Sequence, residues 1–264
     1  MSRHRFCFRL AVALVFLVAY AHGLRWVWRR DVRLPAKPPR ELRSDLRELL
    51  RPGGTDWREV GRSREGRPIW LVEHGSGPEV TLIFGGIHGN ELDACRVARA
   101  LCARLRGRVP SGKKAVVIPL LNPDGVVRLT RTNAGGVDVN RNFPTQNWRR
   151  DEPNPHRSPG ASPGSEPETR LAMELVERWR PAKIISIHDP LRVNNYDGPG
   201  EVLARVMARE NGYPVVDSIG YPTPGSFGTW AGAERQIPMV TLEVERGASG
   251  VEKNLRALEI AVKF

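Results

Sequence analysis

A chain of 264 residues can form one substantial α/β domain but not two large ones. Its 40% hydrophobic content is ordinary for a globular protein, and 22 Pro with 26 Gly call for many loops. The net charge is +12, and half of it comes from six arginines in the first thirty residues, which hold no acid. No helix-turn-helix, zinc knuckle or aromatic-basic ribbon accompanies the excess. An anionic polymer or a membrane surface is therefore the expected partner, and nucleic acid is not.

Residues 1–30 read as an export segment. Three arginines flank an unbroken apolar run at residues 10–21 (LAVALVFLVAYA), and Ala19-Tyr-Ala21 has the small-x-small form that signal peptidase cuts. The fifteen residues between Arg9 and Arg25 would make about 22 Å of helix, short of a hydrocarbon core of about 30 Å. Snorkelling arginines with Trp26 and Trp28 could stretch residues 10–28 into a span. A cleaved signal and an uncleaved anchor both stay open, and both export the rest of the chain. Residues 31–54, rich in Pro and Arg with a helical patch at 41–50, read as a linker, so the folded domain is expected at 55–264.

Residues 57–74 hold two alternating stretches joined by Arg64-Glu-Gly-Arg67, a hairpin signal. Residues 79–84 (EVTLIF) read as a strand. In residues 91–106 the spacing of Leu92, Cys95, Ala98, Leu101, Cys102 and Leu105 predicts a helix. Its two cysteines stand seven residues and roughly 10 Å apart, too far to bridge, and Cys7 lies in the export segment. Residues 115–121 (AVVIPLL) form the next buried strand. Residues 126–163 lack periodicity and form a long surface loop, of the kind that carries function. Ser165-Glu-Pro-Glu168 reads as a capping box opening a helix that Pro181 ends. A strand at 183–187 ends at His188, a helix at 201–211 is closed by Gly212, a strand lies at 239–244, and a helix at 251–262. Strands alternating with helices predict a three-layer α/β/α domain around a mixed, mostly parallel sheet.

The chemistry gathers on residues 83–91 (IFGGIHGNE), the end of a strand and the start of a helix. His88 and Glu91 lie in this corner, and His188 ends another strand; open α/β sheets place their sites at such carboxyl ends. Two imidazoles and one carboxylate leave a fourth zinc position free for water, the catalytic pattern rather than the structural one. His-x-x-Glu alone is weak. A hydrogen-bonded core histidine and a glutamate in a helix first turn would account for it equally well.

The ordered series of motifs downstream is specific. Asn122-Pro-Asp-Gly125 leaves a strand, Arg131 precedes Gly136-Val-Asp-Val-Asn-Arg-Asn-Phe-Pro144, and Ser186-Ile-His188 and Thr241-Leu-Glu243 come after. From Trp57 onward this series resembles the zinc metallocarboxypeptidases of the carboxypeptidase A type. The resemblance implies one zinc ion per chain held by His88, Glu91 and His188. It implies Glu243 as the base that activates water and passes the proton on, and Arg131 as the group that stabilises the oxyanion. Asn140 and Arg141 match the pair that grips a terminal carboxylate, and Tyr221 the tyrosine that closes over the substrate. Glu245, two residues on, competes with Glu243. Asp138 and Asn142 read as loop braces, Asn122 and Asp124 as turn formers, and His156 as exposed.

Within that family, Ser165-Glu-Pro-Glu-Thr169, His188-Asp-Pro-Leu191 and residues 221–228 (YPTPGSFG) look most like the murein peptide amidases. These cut the γ-D-glutamyl–diaminopimelate bond of wall peptides. Asn140 and Arg141 would hold the α-carboxylate of diaminopimelate, and its zwitterionic far end needs a polar pocket. Gly228, near the family's specificity position, brings no acid, and Asp189 stands where these amidases often carry a small residue. The alternatives are a general zinc carboxypeptidase acting on peptide C-termini, a zinc deacylase of N-acyl amino acids, and an inactive wall-binding module. The expected setting is the periplasm or cell envelope, the expected partner a peptidoglycan-derived peptide, and the expected state a monomer, tethered to the inner membrane if the anchor stays.

Overall fold

The computed structural model describes residues 40–264, so the expected export segment lies outside the described residues. Residues 43–264 form one compact unit. A helix, α1 (Arg40–Leu50), enters this unit at Arg43 and buries Leu46 and Leu49, so part of the stretch read as a linker is folded.

Eight strands make one sheet. In chain order they are β1 (Trp57–Arg62), β2 (Pro68–Gly75), β3 (Glu79–Phe84), β4 (Lys113–Ile118), β5 (Lys183–His188), β6 (Val193–Asp197), β7 (Val215–Val216) and β8 (Met239–Glu243). Their spatial order is β1-β2-β4-β3-β5-β8-β6-β7. The central four, β4, β3, β5 and β8, run parallel, while β2 and β6 join them antiparallel from either side. A parallel centre needs cover on both faces, and every residue of β5 is buried.

Alternation along the strands sorts side chains onto two cores. Ile83, Ile185, Ile187, Val240 and Leu242 face α2 (Leu92–Arg104), α5 (Glu201–Asn211) and α6 (Val251–Lys263). Leu82, Phe84, Ile184 and Met239 face the other way, against α4 (Pro167–Trp179) and the aromatic group Phe143, Phe227 and Trp230. Phe143 stacks on Phe227 at 4.8 Å, and Phe84 meets Phe227 edge-on at 5.1 Å. Ser186 and His188 share the face of Ile184, and Thr241 and Glu243 that of Met239, so this second face turns polar toward the strand ends.

Three local expectations are corrected. The stretch read as loop opens with a short helix, α3 (Pro123–Arg128), whose Asn122 accepts the Gly125 N–H at 2.9 Å. The capping box does not form: α4 starts at Pro167, one residue past the non-bonding cap Glu166. Glu168 is instead buried against Asn133 and the Arg64 N–H, each at 2.9 Å, and cannot fold back on the helix end. Finally, β6 and β7 carry no readable strand signal. β6 reads VNNYD, and only Asn194 of it is fully buried.

Buried carboxylates pin the long loop to the β1–β2 hairpin. Asp124 accepts from Ser63 Oγ at 2.7 Å, the Glu65 N–H at 2.9 Å and Arg67 at 2.6 Å. Glu166 accepts from Arg64 and from Asn133, both at 2.8 Å. At the corner after β3, the Leu121 and Asn122 N–H groups donate to Gly85 and Gly86 carbonyls at 3.0 and 2.9 Å. There Gly89 crosses α3 so closely that a Cβ would lie 1.8 Å from the Gly125 carbonyl carbon. Backbone on both sides leaves no flexible group to yield. Gly89→Ala is therefore expected to cost at least about 2–3 kcal/mol and lower the thermal midpoint by about 5–10 °C. Scanning calorimetry checks this, and an unshifted midpoint would mean the two turns do not touch.

Candidate active site

The sheet brings the strand ends to one place. His88 and Glu91 follow β3, His188 ends the neighbouring β5, and all three are nearly fully buried. His88 Nδ1 lies 2.7 Å from Glu91 Oε1, His188 Nδ1 lies 2.9 Å from Glu91 Oε2, and the two Nδ1 atoms are 3.0 Å apart. His88 Nε2 stands 3.1 Å from Asp138 Oδ1, the bond that fixes its proton on Nε2 and leaves Nδ1 with a lone pair. Lone-pair atoms so close repel one another unless something positive sits among them. A set of two nitrogens and one carboxylate suits zinc, and one ligand atom from each residue fits within 4.8 Å.

Electrostatics around the triad are strongly coupled. Burial alone would raise the pKa of Glu91, yet the two imidazoles outweigh it and hold the carboxyl below its ordinary value. Burial and Arg131 both oppose charge on His88, while Glu91 and Asp138 overcome them and raise it. Asp138, fully buried, is held well below the carboxylate range because Arg131 and His88 offset its desolvation. It also accepts the Arg131 Nε–H at 2.8 Å and the Asn140 N–H at 2.9 Å. Asp138 therefore orients one candidate ligand and one candidate catalytic arginine together, a larger part than the loop brace read from sequence. Its signal was compositional: it is the lone acid among five arginines in residues 126–150.

Glu243 pairs in register with His188 on the adjacent strand, so the two side chains share a face. It is 8% exposed, and burial followed by the nearby Glu91 charge raises its pKa against the pull of His188. The Leu191 N–H approaches it at 3.4 Å. Its competitor Glu245 lies past the strand end and is engaged elsewhere, by Lys253 at 2.9 Å and Arg192 at 3.5 Å.

The remaining expected residues sit around this core. Arg131 Nη1 is 3.3 Å from Glu91 Oε1, and Asp138 with Glu91 hold its guanidinium charged despite burial. Arg141 is 3% exposed, and desolvation lowers its pKa; its Nη1 donates to the Asn140 carbonyl at 2.7 Å. The Asn140 side-chain oxygen accepts the Phe227 N–H at 2.8 Å, which leaves its amide hydrogens as donors. Tyr221 is half-buried under the Arg157 guanidinium, which lies 4.6 Å from its ring centroid. Asp189 follows His188 and is buried; that burial, followed by the Glu91 charge, pushes its carboxyl up to about 7 in spite of Arg246 at 3.6 Å. His156 is exposed, and Cys95 and Cys102 are buried on α2.

This geometry has relatives. Residues 45–198 match the zinc carboxypeptidase family. Murein peptide amidase A of Escherichia coli (strain K12) is 38% identical over 204 residues, which cover 73% of this chain and 81% of that protein. The Vibrio campbellii protein of the same name is 38% identical over 190 residues, 67% of this chain and 74% of that one. Among solved structures, the murein-tripeptide amidase MpaA from Escherichia coli O157 superposes with a TM-score of 0.69 at 33% identity, covering 83% of this chain and 96% of its own. Bovine thrombin-activatable fibrinolysis inhibitor, at 19% identity and a TM-score of 0.67, shares the fold over 84% of this chain and 93% of its own. The chain belongs to the zinc carboxypeptidase family.

Proposed function

We propose that this chain is a zinc-dependent amidase that cleaves the γ-D-glutamyl–diaminopimelate bond of murein peptides. The observation that carries the reading is the meeting of His88, Glu91 and His188 with Glu243 one strand over. The likeness to murein peptide amidases supports the choice of substrate.

His88 Nδ1, His188 Nδ1 and the Glu91 carboxylate would hold the zinc ion. When bound, zinc supplies the Lewis acidity that polarises a carbonyl and makes water nucleophilic near neutral pH. Glu243, buried and with a raised pKa, takes a proton from the attacking water and delivers it to the departing amide nitrogen. Arg131, kept charged by Asp138 and Glu91, steadies the oxyanion. Arg141 and the Asn140 amide bind the free α-carboxylate of diaminopimelate, and Tyr221 covers it. Asp138 keeps His88 in the tautomer that leaves Nδ1 free to bind.

The reading includes an envelope location, motivated by the basic-apolar pattern of residues 1–30. Among the described residues no helix is long and apolar enough to cross a membrane, so any tether would rest on that segment.

The zinc-loaded protein should release diaminopimelate from L-Ala-γ-D-Glu-diaminopimelate. Glu243→Gln should reduce this rate by about 10³-fold or more while zinc content stays at one per chain, since the proton carrier goes and the ligands remain. Turnover of hippuryl-amino acids alone would favour a general carboxypeptidase, and cleavage of N-succinylglutamate alone a deacylase. Zinc bound without any turnover would leave a binding module. Asp138→Asn should weaken zinc affinity by about 10–100-fold in a competition titration, because an outer carboxylate sets ligand basicity and ring orientation. Unchanged affinity would reduce Asp138 to a brace. Arg141→Ala should raise KM by roughly 100-fold with a smaller change in kcat, and an unchanged KM would remove it from the carboxylate grip.

A further inference from the structure

Arg157 reaches the site from the far end of the long loop, and its place there is fixed by the backbone. Pro155–Arg157 form a 3₁₀ turn held at its start by Asn154. The Asn154 side-chain oxygen accepts the His156 N–H at 3.0 Å, and its carbonyl accepts the Arg157 N–H at 2.9 Å. The chain that follows is laid along the Asn140–Arg141 segment. The Ser158 carbonyl accepts the Asp138 N–H at 2.8 Å, and the Pro159 carbonyl accepts from the Asn142 amide at 2.7 Å. Arg157 is thus anchored on both sides, and its half-buried guanidinium lies 4.6 Å from the Tyr221 ring centroid.

The charge of Arg157 is felt at the carboxylate grip. Burial foremost depresses the Arg141 guanidinium and Asp138 opposes this, while Arg131 and then Arg157 add repulsion. Guanidiniums gathered in this way suit a substrate with more than one acidic group, and each has its own task. Arg131 is bonded to Asp138 at 2.8 Å and Glu91 at 3.3 Å, and it faces the oxyanion. Arg141 faces the α-carboxylate of the leaving residue. One carboxylate offers about four lone-pair sites. The Arg141 fork, the Asn140 amide and the Tyr221 hydroxyl are enough to fill them, so Arg157 is one fork more than a single carboxylate can take.

We propose that Arg157 binds a second substrate carboxylate, the α-carboxylate of the D-glutamyl residue on the acyl side of the scissile bond. Because that bond is γ-linked, the carboxylate hangs free at the end of the glutamyl chain. An α-linked peptide of neutral residues has no carboxylate there, so Arg157 would select γ-linked substrates over ordinary peptide tails. A guanidinium presents a planar fork that a carboxylate matches with two parallel bonds. Stacking on Tyr221 orders that fork in advance, so less freedom is lost when the substrate binds. The inference rests on the amidase reading, which supplies the γ-linked residue, and deepens it by naming what recognises the acyl side.

The test compares matched substrates on the zinc-loaded full-length protein. One is L-Ala-γ-D-Glu-diaminopimelate, and the other is the same peptide with the D-Glu α-carboxylate converted to a carboxamide. The wild type should prefer the free carboxylate by at least about 10-fold in kcat/KM, the scale of a charged hydrogen bond. Arg157→Gln should bring that ratio to within about 3-fold, and Arg157→Lys, which keeps the charge but not the fork, should fall between the two. A residue that merely braces the loop or Tyr221 would slow both peptides equally and leave the ratio unchanged. That result, or a wild type indifferent to the amide, overturns the assignment while the amidase reading stands. Turnover of neither peptide would refute the amidase reading and the assignment with it. Should Arg157→Gln not fold, the wild-type ratio and the Arg157→Lys ratio decide. Inhibition by the product L-Ala-γ-D-Glu should likewise exceed that by L-Ala-D-isoglutamine by about 10-fold, and equal inhibition would contradict the proposal.

Discussion

Two imidazole nitrogens held 3.0 Å apart, with a carboxylate oxygen within 2.9 Å of each, make a buried cluster of acceptors that calls for a positive charge among them. His88 and His188 are 100 residues apart in sequence, and the fold brings them together by pairing β3 with β5. The cost of gathering buried donors is offset by the apolar layers on either side of the sheet and by an outer ring of charge. Asp138 is the centre of that ring, because a single carboxylate bonds both His88 and Arg131.

The outer ring explains why so much of the long loop is polar and yet buried. Asp138 and Glu91 are each placed beside the Arg131 guanidinium, so the field at the site is fixed before substrate arrives. Asp124 and Glu166 repeat the device farther out beside Arg67 and Arg64, Glu168 accepts the Arg64 backbone N–H, and all three tie the loop to the β1–β2 hairpin.

Much of this was legible in the sequence, for physical reasons. The strands buried on both faces, β3, β4, β5 and β8, are nearly continuous apolar runs, and a histidine or glutamate ending such a run has few structural reasons to be there. What escaped had weaker local signatures. β6 reads VNNYD, with polar residues on both of its faces, so neither alternation nor an apolar run could announce it. The Ser165 capping box satisfied the local pattern and lost to a tertiary demand, since Glu168 is needed by Asn133 and Arg64. The double role of Asp138 comes from contacts with residues 50 and 7 positions away, which no short motif encodes.

The most direct test of the metal centre is anomalous diffraction from crystals of the zinc-loaded protein. The expected result is one zinc per chain, bound by His88 Nδ1 and His188 Nδ1 at about 2.0–2.1 Å and by the Glu91 carboxylate at about 2.0–2.2 Å, with Glu243 outside the coordination sphere. Zinc bound away from these three side chains, or with Glu243 ligating in place of His188, would contradict it.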